Sequence, residues 1–282
     1  MKIGSFAGIL LLLAAAALAG ALHRVVVAGY SGEAMEPFVS RDGRHLFFNT
    51  RNDPGVDTNI LFAERDGTGW RFRGVLPGTV SPHLDGTPTM SAAGRFCFVS
   101  TRAYFETLVT VYCGMFDGQR IVDAKPQQGL KASKVGLLTF DVDLSADGQS
   151  MILAEGAFSG GAVPDAADLH FASWNGQGYV REPGLDRLLA RINTPDLEYA
   201  PALSEDGREL YFTRMQGFWL FRTARILVAR RPTVQAAFGE PVEVAVGDGF
   251  VEGPTLAPGG VLMFHKRVSD RFDLWQMPLP GR

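Results

Sequence analysis

The chain has 282 residues, a formal net charge of −3, 46% hydrophobic residues and 20% charged residues. A chain of this length and apolar content can bury a large core within one domain. Nucleic-acid binding requires clustered Lys and Arg to neutralise phosphates, so the mildly acidic composition excludes a nucleic-acid partner. The 33 glycines, 16 prolines and 20 phenylalanines favour short strands joined by tight turns, which predicts an all-β protein.

The N-terminal segment predicts export. Lys2 precedes an apolar run over residues 9–17, and the small residues of Ala17-Leu18-Ala19 follow it. This order is typical of a signal peptide over residues 1–19, cleaved after about Ala19. The alternative is an uncleaved signal anchor, because a membrane span needs ~20 apolar residues. Either way we expect a periplasmic or secreted protein, and it meets the membrane only through this segment if the segment is uncleaved.

One motif recurs five times: a proline or other apolar residue, two residues, serine, two residues and glycine, followed by an apolar strand. The copies cover residues 36–48, 87–98, 141–148, 200–212 and 253–264. The serine position, which is alanine in the last copy, returns at intervals of 51 to 59 residues. Propeller blades repeat every ~40–50 residues, so the pattern predicts five blades.

Each copy predicts a hairpin between an inner strand and a second strand. Three copies carry Asp-Gly, which supplies the positive φ of a tight turn: Asp42-Gly43, Asp147-Gly148 and Asp206-Gly207. A third strand follows in every unit, at residues 59–63, 109–113, 168–172, 225–229 and 273–277. A more polar fourth strand follows in the first four units, so each blade is predicted to hold four antiparallel strands.

The fifth unit has no fourth strand of its own. Residues 24–29 precede the first copy of the motif much as residues 242–245 precede the last. We therefore predict that this N-terminal strand completes the last blade, which removes an open sheet edge. The predicted fold is an all-β, five-bladed propeller that forms a single domain over residues 24–282.

The repeat resembles the WD40-like PD40 repeat of TolB-type β-propellers, written Pro-x-hydrophobic-Ser-x-Asp-Gly-x-x-Leu-x-Phe. The resemblance covers nearly all of the chain after the signal segment. It implies the fold, while function stays open because such repeats occur in exported binding proteins, in scaffolds and beside hydrolase domains. Three copies depart from the pattern, through Val142, through Ala93, and through Ala257 with Gly259. TolB itself has six blades, whereas five copies are visible here.

One face of the predicted propeller gathers charged residues. The start of each inner strand and the end of each second strand lie on this face, because the two strands are antiparallel. Carboxylates lead into the inner strands, including Asp85 and Asp143, and arginines follow the second strands. The predicted ligand-binding set is Glu36, Arg51, Arg102, Tyr104, Asp141, Glu198, Arg214, Trp219, Glu252 and Arg267.

Two interpretations of this set remain open. The carboxylates and arginines could pair within and between blades and hold the repeats in register. Alternatively they form a polar cup, since aromatic residues beside fixed charges suit a saccharide, a peptide or a protein partner. The aromatic residues could also act as plugs that cap the central channel.

An enzymatic alternative uses the same face. Five-bladed propellers include glycoside hydrolases and related enzymes that place carboxylates at the inner-strand starts, where one acts as acid and another as base or nucleophile. The candidates for those roles are Glu36, Asp141, Glu198 and Glu252. The sequence contains no G-x-S-x-G, so a serine-hydrolase elbow is not indicated.

The patterns of possible metal ligands and of cysteines give weak evidence for further sites. The five histidines lack the spacing of zinc ligands, and no cofactor is predicted. A calcium site could use Asp53, Asp57 and Asn59, although an Asp- and Asn-rich turn explains the same residues. Cys97 and Cys113 lie on neighbouring strands of one blade, where they form either a disulfide or two buried free thiols.

These observations give two expectations for function. The leading one is an exported, non-catalytic propeller that binds a small polar ligand, such as a saccharide or peptide, or a protein of the cell envelope. The alternative is a propeller glycoside hydrolase or lyase that uses the carboxylates of the channel mouth.

Overall fold

The computed structural model of the chain describes residues 22–52, 57–217 and 222–279, and the predicted signal segment lies outside them. Strands dominate this part of the chain, which confirms the all-β prediction. Its helices are the short α1 (Tyr104–Thr107) and two 3₁₀ turns, Gln128–Leu130 and Pro183–Leu189. Within the described ranges, no helix has the length and apolar character needed to cross a membrane.

The strands form five blades in chain order, as predicted. Blade 1 contains β3 (Met35–Val39), β4 (His45–Asn49), β5 (Ile60–Asp66) and β6 (Gly69–Val75). Blade 2 contains β7 (Asp85–Met90), β8 (Arg95–Ser100), β9 (Val111–Phe116) and β10 (Ile121–Pro126). Blade 3 contains β11 (Leu137–Leu144), β12 (Ser150–Ala157), β13 (Ala166–Trp174) and β14 (Tyr179–Arg181). Blade 4 contains β15 (Leu197–Leu203), β16 (Glu209–Gln216), β17 (Thr223–Arg230) and β18 (Val242–Glu243). Blade 5 contains β19 (Phe250–Ala257), β20 (Val261–Val268) and β21 (Arg271–Pro278).

The N-terminal strand closes the ring in two parts, which corrects the predicted single strand over residues 24–29. β1 (His23–Arg24) pairs antiparallel with β21 and supplies the fourth strand of blade 5. β2 (Val27–Ala28) leaves that blade and pairs in parallel with β6, the outer strand of blade 1. The segment therefore joins the last blade to the first instead of belonging to one of them.

The recurring Ser-x-Asp-Gly motif builds the turn between inner and second strands. In blade 1, Ser40 Oγ donates to Asp42 Oδ1 at 2.6 Å, and the amides of Arg44 and His45 donate to Asp42 and Ser40. Gly43 takes φ +71°, a conformation that residues with a Cβ rarely adopt. The same network forms at Ser145–Asp147 and Ser204–Asp206. Serine and aspartate thus satisfy the turn amides in three blades.

The second strands are apolar on both faces because each blade packs between two others. Leu46 and Phe48 of β4 face blade 5, whereas Phe47 between them faces blade 2. The same alternation divides Leu210 and Phe212 of β16 from Tyr211. The described residues form five apolar clusters, one at each junction between consecutive blades. Continuous apolar runs, normal for strands buried on both faces, therefore mark the blade junctions.

A β-bulge interrupts every inner strand near its start. In the four blades with the motif proline, the residue before it has positive φ: Glu36 (50°), Thr87 (49°), Ala200 (48°) and Gly253 (62°). Bulges re-aim side chains relative to a regular strand. The bulge therefore decides which way the carboxylates of the charged face point.

Candidate functional site

The charged face contains two kinds of carboxylate, and one kind is neutralised inside its own blade. In blade 2, Asp85 is fully buried and accepts from Arg102 Nη2 at 2.7 Å. Ser81 Oγ donates to the other carboxylate oxygen at 2.7 Å, and Arg102 Nη2 also donates to the carbonyl of Thr79. Arg102 Nε binds Ser100 Oγ at 2.7 Å. The protein itself thus supplies hydrogen-bond partners for both charged groups.

Blade 4 repeats the arrangement with a glutamate, which is bound through a different arginine nitrogen. Glu198 is fully buried and accepts from Arg214 Nε and from Thr194 Oγ1, each at 2.7 Å. Arg214 Nη2 donates to the carbonyl of Ile192 at 2.7 Å. Burial raises the pKa of Glu198, while the bonds from Thr194 and the charge of Arg214 lower it. We call Asp85–Arg102 and Glu198–Arg214 the two clips.

The clips contain part of the predicted ligand-binding set. Arg102, Glu198 and Arg214 are engaged in these pairs and do not line the large cavity of the face. Tyr104 is also buried and absent from its lining, since its hydroxyl bonds to the backbone of Gly136 and Leu137. The geometry gives these four residues a structural role. Trp219 lies outside the described residues.

Asp143, which leads into the same inner strand as Asp141, has partners from two other blades. It accepts from the amide of Leu203 at 2.6 Å and from Thr89 Oγ1 at 2.9 Å. Desolvation raises its pKa, against the opposing charge of Arg41. Asp143 therefore ties neighbouring inner strands together inside the channel, away from the face cavity.

The second kind of carboxylate has no lysine or arginine partner within the described ranges. Its members are Glu36, Asp141 and Glu252, from blades 1, 3 and 5, and we call them the floor carboxylates. All three line a cavity of about 730 Å³ on the charged face. Glu36 and Asp141 also line the narrow central channel, so they lie where cavity and channel meet.

Glu36 packs against blade 5 through contacts that only glycine permits. Its amide donates to His265 Nδ1 at 3.2 Å, across the junction of the first and last blades. A Cβ at position 253 would lie 2.9 Å from Glu36 Oε2 and 2.7 Å from His265 Nδ1. Gly253 also has φ +62°, which glycine adopts without strain. The sequence therefore keeps space at this point for a carboxylate and an imidazole.

Glu252 is held by two donors from different blades. Tyr199 donates its hydroxyl to Oε1, and His265 Nε2 lies 3.1 Å from Oε2. Because Nδ1 of His265 accepts from the Glu36 amide, Nε2 carries the proton in the neutral ring and donates to Glu252. Two donors on the two oxygens match a charged carboxylate, which can only accept.

Burial sets the protonation of the other two floor carboxylates. Desolvation, with the nearby charges of Asp141 and Glu252, raises the pKa of Glu36 to about 8 against the attraction of His265. Desolvation and Glu252 raise the pKa of Asp141 to about 8, although the Ala200 amide donates to it at 3.0 Å. Burial lowers the pKa of His265, but Glu36 and Glu252 outweigh it and raise the pKa overall. Burial therefore favours the protonated forms of Glu36 and Asp141.

The walls of the cavity are mainly apolar and aromatic. They include Phe140 and Phe158 from blade 3, whose rings make an edge contact at 5.5 Å, and Phe250 and Phe272 from blade 5. Thr87 contributes a buried hydroxyl that has no hydrogen-bond partner in the described part of the chain. A mostly apolar pocket of this size with a few convergent polar groups is typical of a small-molecule site.

Two predicted arginines stand at the rim. Arg51 lies over the Phe272 ring at 5.6 Å and 3.6 Å from Glu33. Arg267 lies over the Phe250 ring at 5.3 Å. Five residues of the predicted set thus line one cavity: Glu36, Arg51, Asp141, Glu252 and Arg267.

The calcium and disulfide interpretations fall on other features. Asp57 lines the cavity and Asn59 Nδ2 approaches the Asp57 carbonyl at 3.4 Å, while Asp53 lies outside the described residues. No group of three His, Cys, Asp or Glu in the described ranges is arranged to hold a metal ion. Cys97 and Cys113 face each other across β8 and β9 and are joined by a disulfide.

Sequence reasoning missed Tyr199, His265 and Thr87, and it placed all the carboxylates in one ring. The two kinds of carboxylate do differ in their spacing from the motif proline. Asp85 and Glu198 stand three residues before the motif proline and form clips, whereas Glu36 and Glu252 stand one and two residues before it and reach the cavity. Asp141 stands one residue before Val142, which replaces the proline in blade 3.

No protein-family model and no curated protein matches the chain. Solved structures do match its fold. One named "Glycoside hydrolase" aligns with TM-score 0.59 and 12% identity, covering 92% of each chain. An endo-arabinase from Bacteroides thetaiotaomicron aligns with TM-score 0.54 and 12% identity, covering 92% of this chain and 98% of its own. TolB from Acinetobacter baumannii aligns with TM-score 0.49 and 11% identity, covering 88% of this chain and 55% of its own.

These similarities establish a β-propeller and nothing finer. The identities are too low to carry an activity or a ligand from one protein to the other, since one propeller fold hosts many functions. The TolB alignment is too weak to single out the TolB type.

Proposed function

We propose that this chain is an exported β-propeller that binds a small, hydroxyl-rich ligand such as a saccharide in the face cavity. The observation that carries the proposal is the contrast between the carboxylates of one face: the clips are neutralised by arginine, and the floor carboxylates of the cavity are not. Unpaired buried carboxyl groups are costly to a fold, and a ligand that bonds to them offsets part of that cost.

The chemistry of the floor favours hydroxyl groups. A protonated carboxyl group donates and accepts, while a charged one only accepts. Glu36 and Asp141, with pKa values raised to about 8 by burial, offer both capacities at neutral pH. Sugar hydroxyls also donate and accept, and the aromatic walls provide apolar surface for ring faces.

The test is a glycan array with thermal-shift measurements on the chain from Gly20. We expect a saccharide to raise Tm, and Glu36→Ala or Asp141→Ala to weaken its binding about tenfold or more, because each removes a carboxyl group that donates to and accepts from sugar hydroxyls. Glu240→Ala removes an exposed carboxylate outside the cavity lining and is the matched control, which should bind normally. Unchanged binding in both floor variants would reject the cavity as the site.

A glycoside hydrolase activity is the second candidate, because the floor combines two carboxyl groups of raised pKa with a carboxylate that is held by two hydrogen-bond donors. Glu36 or Asp141 could protonate the leaving glycosidic oxygen, while Glu252, which accepts from Tyr199 and His265, could take a proton from the attacking water. The neighbour named "Glycoside hydrolase" shares the fold. The two-carboxylate chemistry of such enzymes needs this division of roles.

This candidate is tested with a panel of nitrophenyl glycosides. Turnover should fall by ~10²–10⁴-fold in Glu252→Gln if the carboxylate acts as the base. Binding without turnover over the whole panel would support the ligand-binding function and reject the hydrolase activity. Glu240→Gln serves as the control for general effects on folding.

We place the protein in the cell envelope or outside the cell, as a TolB-like propeller. Two features support this location: the apolar N-terminal segment and the Cys97–Cys113 disulfide, which persists in oxidising compartments. An envelope protein could dock on the same face. Cell fractionation with sequencing of the mature N-terminus tests the location, and recovery of the intact chain in the cytoplasm would reject it.

A further inference from the structure

Arg267 is a charged residue of the cavity that the proposed function leaves unused. It is exposed at the rim and stacks on Phe250 at 5.3 Å. In the described part of the chain, no carboxylate lies within ion-pair distance of its guanidinium. The positive charge of Arg267 is therefore left without a carboxylate of the described residues at the mouth of the cavity.

The strand register fixes where this guanidinium stands relative to the floor. Glu252 faces His265 across β19 and β20, and Phe250 faces Arg267 two residues further toward the rim. Residues two apart in a strand point to the same side and are separated by ~6.6 Å. Arg267 therefore stands on the same side of blade 5 as His265, about one sugar ring above Glu252. Lys266, between them, points to the other side and lies over Trp275 at 5.7 Å.

Neighbouring contacts direct this side of blade 5 toward blade 1. His265 bonds to the amide of Glu36, and the Phe272 ring lies 5.6 Å from the His265 ring. Arg51 of blade 1 approaches the same Phe272 ring at 5.6 Å. The cleft between the first and last blades thus has carboxyl groups at its base and two guanidinium groups at its rim.

The geometry points to an acidic saccharide as the ligand of this site: a uronic acid ring whose hydroxyls meet the floor carboxylates and whose carboxylate binds Arg267. This inference rests on the proposed function and names its ligand class. Arginine is suited to this role, because its planar fork binds a carboxylate through two parallel hydrogen bonds. A neutral sugar would leave the rim guanidinium without a counter-charge.

The test measures binding of matched sugar pairs by calorimetry, using galacturonic acid with galactose and glucuronic acid with glucose. We expect at least one uronic acid to bind more tightly than its neutral counterpart. Arg267→Gln should weaken uronic acid binding about tenfold and leave neutral sugar binding unchanged, since a charge-assisted pair is lost. Arg267→Lys keeps the charge without the fork and should fall between the two.

Arg44→Gln is the matched control, because it removes the same charge from an exposed arginine beside the turn at the opposite end of blade 1. Both variants alter exposed side chains, and an unchanged Tm checks that each is folded. If uronic and neutral sugars bind equally, or if Arg267→Gln has no effect, the inference is wrong while Glu36-dependent binding still supports the proposed function. If no sugar of either kind binds, both proposals fall.

Discussion

Carboxylates at two kinds of position on one face of this propeller have opposite environments. The clip residues Asp85 and Glu198 are fully buried, yet each meets an arginine and a hydroxyl within its own repeat. The floor residues Glu36 and Asp141 meet neither and keep raised pKa values. The clip residues stand three residues before the motif proline, whereas the floor carboxylates stand one or two residues before that position. A shift of one or two residues at the start of the inner strand therefore separates a carboxylate that stabilises the fold from one that is left for a ligand.

The largest expected effect comes from opening a clip. Arg214→Ala should lower the free energy of unfolding by ~3–5 kcal/mol, because Glu198 is left buried and charged without its partner. Urea denaturation measures the loss. Arg191→Ala, which breaks an exposed pair with Glu240, should cost at most ~1 kcal/mol. Equal losses in the two variants would contradict the assigned role of the clip.

The raised pKa values of two floor carboxylates should make the stability of the protein depend on pH. Because the pKa values of Glu36 and Asp141 are raised to about 8, the folded state keeps protons that the unfolded state releases at lower pH. The stability contributed by these protons is complete below the unfolded pKa values and is lost as pH rises toward 8. Each group should lower the free energy of unfolding by ~1.4 kcal/mol per pH unit across that window.

Glu36→Gln and Asp141→Asn should each flatten this dependence when Tm is followed from pH 5 to pH 9. The control is Asp206→Asn, because hydrogen bonds from Ser204 and Arg208 lower the pKa of Asp206 to about 2. That residue contributes stability that is lost only as pH falls, so its variant should leave the alkaline slope unchanged. A wild-type slope that survives in both floor variants would show that other groups cause it.

A smaller effect should follow from weakening the contact between blades 4 and 5 that corresponds to the contact of His265 with the Glu36 amide between blades 5 and 1. Thr213 Oγ1 accepts from the amide of Gly253 at 3.2 Å, at the register position that His265 occupies in blade 5. Thr213→Val removes the acceptor and should cost ~1 kcal/mol, since a buried amide loses its partner. Thr223→Val, at an exposed position, should stay within ~0.5 kcal/mol in the same denaturation assay.

The sequence predicted the repeat and its hairpins well, because these depend on short-range chemistry. Serine, aspartate and glycine bond to amides within five residues of each other, so the turn is readable wherever the motif stands. The apolar second strands are equally readable, since both of their faces are buried. Five copies were enough to predict five blades.

The division of the carboxylates depends on information that one repeat does not contain. Whether a carboxylate meets an arginine is decided by the bulge and by the pairing of two strands, and the partners of Glu252 come from blades 4 and 5. A lone histidine such as His265 does not by itself indicate a site in the sequence. Its position does carry a signal, because it is a polar residue at the end of an apolar second strand. Thr213 and Asn49 occupy the same register position and also accept an amide of the next blade.

The two-part N-terminal segment has a consequence for engineering. β1 belongs to the last blade and β2 to the first, so residues 22–28 seal one seam of the ring from both sides. A bulky fusion that displaces these residues would remove a strand pairing from blade 5 and another from blade 1. It would thereby open the cleft that contains Glu36, His265 and Arg267. A circular permutant that links residue 279 to residue 22 and starts between two other blades would move this weak seam away from the cleft.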